Sequence, residues 1–292
     1  MTLYDKLEDR LPSSVWRILM AGVVASYDLR DRLAGLRDPL IPPAKLRLQV
    51  GKISANAFAR SGDGLVQEFK RQGLLHPDSS VLDVGCGCGR CARALSSFLS
   101  EKGRYSGFDV DANAISYCQK AYSPRRNFRF IAVDVYSQRY NPSGAVKPDK
   151  FQFPFEDGGF DFVLLTSVLT HILPEGLRKH LTELKRVLRP DGSAWVTFYL
   201  WNSASRDFAD RHPRVFPFPY PYFQHRIKVR NEPEAGICYD EVFIFELLSK
   251  VGLLVKQTFY GSWRGGPPGL TAPDVNFQDV VLVARSDRSS QA

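Results

Sequence analysis

Short apolar runs alternate with helical stretches along most of this chain. The runs, which predict β-strands, cover residues 80–85, 105–110, 128–133, 160–165, 194–200, 253–260 and 280–284. The intervening stretches that predict helices cover residues 93–99, 112–121, 177–188 and 239–251. Strands that alternate with helices at this interval predict an α/β fold, a doubly wound and mostly parallel seven-stranded sheet with helices on both faces.

Two regions lie outside this alternation. Residues 3–36 have apolar side chains at helical spacing, a proline-containing linker follows at 39–43, and a second helical stretch covers 53–72. Residues 201–238 are rich in arginine, proline and aromatic side chains and match no regular element. We therefore divide the chain into an N-terminal helical extension (1–72), a core (73–200), an inserted cap (201–238) and a C-terminal part that completes the core sheet (239–292).

Composition and charge exclude several classes of protein. The chain has 292 residues, 44% hydrophobic and 24% charged, with 22 glycines and 19 prolines, which excludes collagen-like and disordered proteins. The 39 Lys and Arg residues exceed the 31 Asp and Glu residues and give a net charge of +8, which favours anionic partners. No stretch reaches the roughly 18 apolar residues that a membrane span needs.

Cysteine usage and the first residues indicate a cellular compartment. Asp5, Glu8 and Asp9 stand where a secretory signal has basic residues. Three of the five cysteines lie within residues 86–91, where a disulfide would distort a glycine loop. We therefore expect free thiols and a cytoplasmic protein.

The segment Val81–Arg90 carries the clearest chemical signal. Gly85, Gly87 and Gly89 allow the backbone to turn sharply and to approach a ligand where a Cβ atom would collide. The helix that begins near Arg90 directs its first N–H groups at this loop, which suits a carboxylate or a phosphate. A dinucleotide-binding loop needs glycine at position 90, so Arg90 argues against a nicotinamide cofactor. By itself, such a loop is also compatible with a simple tight turn.

Acidic residues at the ends of successive predicted strands extend this signal. Asp83 comes two residues before the first glycine, Asp109 ends the second strand and Asp134 ends the third. A carboxylate at the second position can accept hydrogen bonds from both ribose hydroxyls, and one at the third can bind the exocyclic amine of adenine. Each acid alone could cap a helix. Three acids at the carboxyl edge of successive strands predict a nucleoside site.

Five ordered motifs within residues 75–200 resemble those of the class I S-adenosylmethionine-dependent methyltransferases. They are Leu82–Gly89, Gly107–Asp111, Phe130–Asp134, Phe153–Val163 and Leu184–Gly192. The resemblance implies S-adenosylmethionine as the cofactor, with its methionine part at Asp83 and the glycines, its ribose at Asp109 and its adenine at Asp134. The complete set of residues that it assigns to the cofactor is Asp83, Gly85, Cys86, Gly87, Gly89, Asp109, Val110, Asp134, Val135 and Thr166.

Residues that could assist the transfer are less specific. His171 follows the fourth strand, where it could act as a general base or only support the loop. Asp240 opens the helix after the cap, where it could cap that helix or take part in catalysis. The cysteines within residues 86–91 have a spacing that zinc could use, but no fourth ligand is evident nearby, so we predict no metal site.

The methyl acceptor is less defined than the cofactor. Residues 120–150 hold seven Lys or Arg against two Asp, which is compatible with a solvated basic face or with a small or lipid-linked acceptor that carries phosphate. An RNA methyltransferase and a non-catalytic nucleoside-binding protein are alternatives, although no nucleic-acid-binding module is recognisable. The helix around residues 16–29 could rest on a membrane surface, but we expect it to pack on the core.

The C-terminal half adds two expectations about the acceptor. The proline-spaced aromatic residues of 216–223 could form a lid on the acceptor pocket, or they could pack the cap against the N-terminal helices. Segments 233–235, 239–241, 261–263 and 278–281 resemble a bacterial methyltransferase subgroup of glycan and envelope biosynthesis. That resemblance implies a sugar or glycan hydroxyl as the acceptor.

Overall fold

The computed structural model describes residues 13–35, 38–266, 269 and 277–286. It contains a seven-stranded and a four-stranded β-sheet. The strands are β1 (Ser80–Val84), β2 (Arg104–Asp109), β3 (Phe128–Ala132), β4 (Phe160–Leu165), β5 (Leu188–Phe198), β6 (Leu200–Trp201), β7 (Tyr220–Tyr222), β8 (His225–Ile227), β9 (Ile237–Asp240), β10 (Leu253–Phe259) and β11 (Asp279–Arg285). The large sheet has the order β10-β11-β5-β4-β1-β2-β3, parallel from β5 to β3 and antiparallel around β11. The predicted doubly wound, mostly parallel seven-stranded sheet is confirmed.

Helices cover both faces of the large sheet. They are α1 (Ser13–Leu33), α2 (Ala44–Gln49), α3 (Ala55–Arg71), α4 (Arg90–Ser96), α5 (Ala112–Ala121), α6 (Pro174–Val187), α7 (Ser203–Arg211) and α8 (Glu241–Val251). Side chains alternate along β1, so Val81 packs in one hydrophobic cluster with α3, α4 and α5, whereas Leu82 and Val84 pack in another with α6 and α8. This alternation explains why β1 is buried throughout and reads as a continuous apolar run.

The strand order reverses at the centre of the sheet. The chain passes from β1 to β2 and β3 on one side and then returns to β4 on the other side of β1. In open α/β sheets, ligands bind in the crevice at the carboxyl ends of the strands beside such a reversal. The topology therefore brings the residues that follow β1, β2 and β4 to one edge.

Residues 201–238 do contain regular elements, so the prediction of an irregular cap is wrong. They hold α7 and most of a four-stranded sheet of order β6-β9-β8-β7. These strands have two to four residues, too few to show a periodic pattern in the sequence. The buried carboxylate of Asp279 joins this region to the large sheet, because it accepts hydrogen bonds from the backbone N–H of Leu200 and Gly261 and from the indole N–H of Trp263, at 2.7–2.8 Å.

The N-terminal helix α1 is held by charge rather than by apolar packing. The guanidinium of Arg47 on α2, which is 1% exposed, lies 2.6 Å from the carboxylate of Asp31 and 3.3 Å from that of Asp28. No described side chain of α1 belongs to any of the hydrophobic clusters. The described side chains of α1 thus give no support to the expectation that this helix packs on the core, and the side chain of Trp16, where the predicted segment begins, lies outside the described ones. In the part of the chain that the structure describes, no helix is long and apolar enough to cross a membrane.

Candidate active site

A cavity of about 740 Å³ lies at the carboxyl ends of β1, β2 and β4. Its volume is typical of sites for small molecules and cofactors. The residues predicted from the sequence that line it are Asp83, Gly85, Cys86, Gly87, Asp109, Val110, Val135, Thr166 and His171. The structure thus brings together residues from both sides of the point where the strand order reverses.

The glycine loop between β1 and α4 forms one wall of this cavity. Gly85, Gly87 and Gly89 have φ values of 69°, 51° and 83°, which side chains other than glycine rarely adopt. A Cβ atom at Gly85 would also lie 2.4 Å from a methyl group of Val168. The backbone N–H of Gly87 donates to Asp109 over 2.7 Å, so the acid that follows β2 fixes the conformation of the loop that follows β1.

Two carboxylates, the buried Asp83 and the half-buried Asp109, line the cavity beside this loop. Asp83 is 4% exposed, and burial raises its pKa to about 7 although the hydroxyl of Tyr105 donates to it over 2.8 Å. Burial also raises the pKa of Asp109, whose two oxygens accept from the backbone N–H groups of Gly87 and Asp111. Each carboxylate oxygen can accept a further hydrogen bond, so Asp109 retains capacity for two ribose hydroxyls.

Unpartnered polar atoms in the cavity wall indicate where a ligand binds. The hydroxyl of Thr166 and the indole N–H of Trp195 are buried and have no hydrogen-bond partner. An unpaired buried donor costs about 1–3 kcal/mol, so such atoms are normally satisfied by a ligand or by water. Together with the glycine loop and Asp109, they form a site that fits S-adenosylmethionine. Sequence reasoning missed Trp195, because a tryptophan inside an apolar strand gives no signal of a binding role.

His171 lies on the other side of the cavity, in a short 3₁₀-helix after β4. Its Nδ1 is 2.7 Å from the backbone carbonyl of Glu234, which can only accept, so Nδ1 carries the proton. Burial lowers the pKa of His171, and the nearby cations of Arg139 and Lys228 lower it further. The ring is therefore neutral at neutral pH, and Nε2 is left as an acceptor.

Glu234 joins His171 to the loop that follows β3. Its carboxylate accepts hydrogen bonds from the hydroxyl of Ser137 over 3.0 Å and from the backbone N–H of Gln138 over 2.7 Å. The same residue is 7% exposed and supplies the carbonyl that orients His171. In the sequence, residues 233–235 were noted only because they resemble a methyltransferase subgroup, and that resemblance assigned no structural role to Glu234.

Aromatic and polar side chains complete the wall near His171. They include Tyr136, Ser137, Tyr140, Ser167, Tyr199, Lys228, Phe277 and Gln278. Ser167 has a φ of 61°, unusual outside glycine, and its hydroxyl donates to the side chain of Gln278 over 2.9 Å. Residues 49–52 of the N-terminal extension also line the cavity, where sequence reasoning had placed no site residue.

Three predicted site residues do not line the cavity. Gly89 shapes the turn into α4 from outside it. Asp134 is exposed and accepts from the side-chain amide of Asn141, so its predicted contact with adenine has no support in this structure. Asp240 caps α8 by accepting from the backbone N–H of Phe243, as the capping alternative predicts.

The aromatic residues of 216–223 are also absent from the cavity wall, so the lid hypothesis is wrong for them. Phe216 and Phe218 are buried with Trp263 and with Tyr199, whose ring centroid is 4.7 Å from that of Phe218. They pack the small sheet and not the N-terminal helices, so the alternative expectation was wrong too. Among the described residues, no group of three or more His, Cys, Asp or Glu side chains is arranged to hold a metal ion.

Comparisons with known proteins identify the central part of the chain. Residues 82–196 match the family model described as a methyltransferase domain. A sterol 24-C-methyltransferase of Schizosaccharomyces pombe is 32% identical over 155 residues, which cover 53% of this chain and 35% of that protein. A phthiotriol/phenolphthiotriol dimycocerosates methyltransferase of Mycobacterium ulcerans is 33% identical over 52% of this chain and 47% of its own length.

Further relatives are more distant. A tRNA N(3)-methylcytidine methyltransferase of Drosophila melanogaster is 28% identical over 48% of this chain and 42% of its own length. The alignments thus span between about a third and half of these curated relatives. A solved structure of a Burkholderia thailandensis 1,6-didemethyltoxoflavin-N1-methyltransferase covers 94% of this chain and 90% of its own, with 16% identity and a TM-score of 0.46. The match of residues 82–196 to a methyltransferase domain agrees with the resemblance of the sequence motifs to the class I S-adenosylmethionine-dependent methyltransferases.

Proposed function

We propose that this protein transfers the methyl group of S-adenosylmethionine to a small or lipid-linked polar acceptor, such as a sugar or glycan hydroxyl. The observation that carries the proposal is one cavity with two kinds of lining. The glycine loop, Asp83 and Asp109 line it together with His171 and with aromatic and basic side chains. The five buried, unbridged cysteines support the predicted cytoplasmic setting.

Residues of this chain would align and deprotonate the acceptor. When bound, S-adenosylmethionine supplies a methyl group on a cationic sulfonium. His171, neutral and with Nε2 available, would accept the proton that the acceptor hydroxyl loses. Tyr140, whose ring lies edge-on to His171 at 5.7 Å, would help to exclude water from the site.

The chemistry of the wall supports an anionic acceptor. Lys228 lines the cavity, and both Lys228 and Arg139 lie close enough to His171 to lower its pKa. A phosphate-bearing acceptor would be attracted by these cations. The relatives whose names contain sterol and phthiotriol support an acceptor that is linked to a lipid. The relative that methylates tRNA supports the alternative, an RNA acceptor.

Incubation with methyl-labelled S-adenosylmethionine and fractionated cell extract tests this proposal. We expect label in a lipid or glycan fraction. His171→Gln should slow the transfer by about 100-fold or more without changing the affinity for S-adenosylhomocysteine. Asp240→Asn is the matched control and should transfer normally, because Asp240 lies outside the cavity. Label in RNA would favour the RNA methyltransferase instead, and cofactor binding without transfer to any fraction would favour the non-catalytic alternative.

A further inference from the structure

The outward face of α1 is apolar over most of its length. Ile18, Gly22, Ala25, Leu29 and Leu33 are all exposed and follow one another at intervals of three or four residues, so they form one stripe on the helix. The exposed fractions are 75% for Ile18, 57% for Leu29 and 81% for Leu33. Soluble proteins rarely leave such a contiguous stripe in water without a partner.

The acidic side chains of α1 face α2, and Asp31 also lies 3.7 Å from the guanidinium of Arg30. Asp28 and Asp31 turn inward, where they pair with the buried guanidinium of Arg47. Asp28 also accepts a hydrogen bond from the backbone N–H of Ala44 over 2.8 Å. Arg30 and Arg32 are exposed. At about 100° per residue these two arginines border the apolar stripe on opposite sides.

We propose that this stripe, defined by Ile18, Leu29 and Leu33 with their flanking arginines, binds an anionic lipid surface. A helix with an apolar face bordered by cations lies in the interface of a bilayer, with its apolar side chains among the acyl chains and its arginines at the headgroups. A second copy of the chain fits less well, because two such faces would bring four arginines together. None of the described side chains of α1 lines the cavity.

Vesicle flotation of the full chain tests the proposal. Binding should be strong to phosphatidylglycerol vesicles, weak to phosphatidylcholine vesicles, and should fall as salt is added. The double variant Leu29→Ser/Leu33→Ser should bind phosphatidylglycerol vesicles about tenfold or more weakly, and Arg30→Gln/Arg32→Gln should lose the preference for anionic lipid. The matched control is Val242→Ser/Leu254→Ser, which removes two exposed apolar side chains from α8 and β10. It should bind like the unaltered protein.

Other outcomes would overturn the proposal. Equal binding of the Leu29/Leu33 variant, or no binding of the unaltered protein to phosphatidylglycerol vesicles, would exclude a lipid role for this face. Light scattering without vesicles measures the oligomeric state and tests the remaining alternative. If the unaltered protein is a dimer and the Leu29/Leu33 variant is a monomer, the stripe binds a second copy of the chain. S-adenosylhomocysteine affinity and melting temperature, measured for every variant, show that an altered binding does not reflect misfolding.

Discussion

Asp109 connects the glycine loop to the ribose side of the cavity. We expect Asp109→Ala to weaken binding of S-adenosylhomocysteine by roughly 2–4 kcal/mol, because charge-assisted hydrogen bonds to a buried ribose are lost together with the bond that holds Gly87. Calorimetry measures the effect. Asp111→Ala is the control. Asp111 also lines the cavity, but its carboxylate caps α5, so we expect a cost of about 1 kcal/mol in stability with little effect on affinity. Equal losses of affinity at the two positions would show that the ribose binds elsewhere.

A second residue-scale prediction concerns the charge of Asp83. Burial raises its pKa from 3.8 to about 7, so the folded protein holds a proton that the unfolded chain releases between these values. The contribution of Asp83 to stability is therefore fully present below about pH 4 and is lost as the pH rises to about 7. Urea unfolding at several pH values should show that Asp83→Asn removes this part of the decline in unfolding free energy. An unchanged pH profile would contradict the raised pKa.

At the scale of elements, Glu234 connects the loop after β3 to the 3₁₀-helix that carries His171, because it forms hydrogen bonds with both segments. Glu234→Ala should leave Ser137 and Gln138 without their acceptor and cost about 1–3 kcal/mol locally. Hydrogen exchange of residues 134–146 should then be about tenfold or more faster. The control is Glu232→Ala, which removes only a more exposed ion pair with Arg139 and should leave exchange almost unchanged. Similar exchange in both variants would mean that Glu234 does not anchor this loop.

The small sheet depends on its aromatic core. Phe218 is 2% exposed, and Phe218→Ala should lower the unfolding free energy by about 3–5 kcal/mol because it leaves a cavity beside Trp263 and Tyr199. Phe223 is 86% exposed, so Phe223→Ala should change it by less than about 0.5 kcal/mol. Denaturant unfolding compares the two. If the protein with Phe218→Ala kept its stability and lost transfer, the rejected lid hypothesis would have to be restored.

At the scale of the whole molecule, cofactor binding couples to folding because the cavity draws on the N-terminal extension and both sides of the strand reversal. S-adenosylhomocysteine at about 100 times its Kd should add about 2.7 kcal/mol of stability and raise the melting temperature. NAD should have no effect, since Arg90 stands where a dinucleotide loop has glycine. Differential scanning calorimetry with each ligand checks this, and the opposite ranking would contradict the cofactor assignment.

Prediction from the sequence succeeded where a local pattern determines the structure. The apolar runs identified all seven strands of the large sheet, and most clearly the central β1 and β4, because a strand covered on both faces must be apolar. Gly85 and Gly87 were recognisable because their positive φ angles exclude most other residues. Asp109 was recognisable because the topology places an acid after β2 beside the loop after β1. These residues line one cavity as expected.

The sequence by itself determined which segments form the strands of the large sheet and where the glycine loop lies, because each depends on residues close together in the chain. Only the tertiary structure decided that Trp195 and residues 49–52 line the cavity, that Glu234 orients His171, and that Asp134 and Asp240 do not line it. It alone placed Phe216 and Phe218 in a core rather than in a lid. The physical reason is that these roles depend on burial and on hydrogen bonds between segments far apart in the chain. One example is the hydrogen bond between His171 and Glu234, which are 63 residues apart, and no local periodicity in the sequence indicates such a contact.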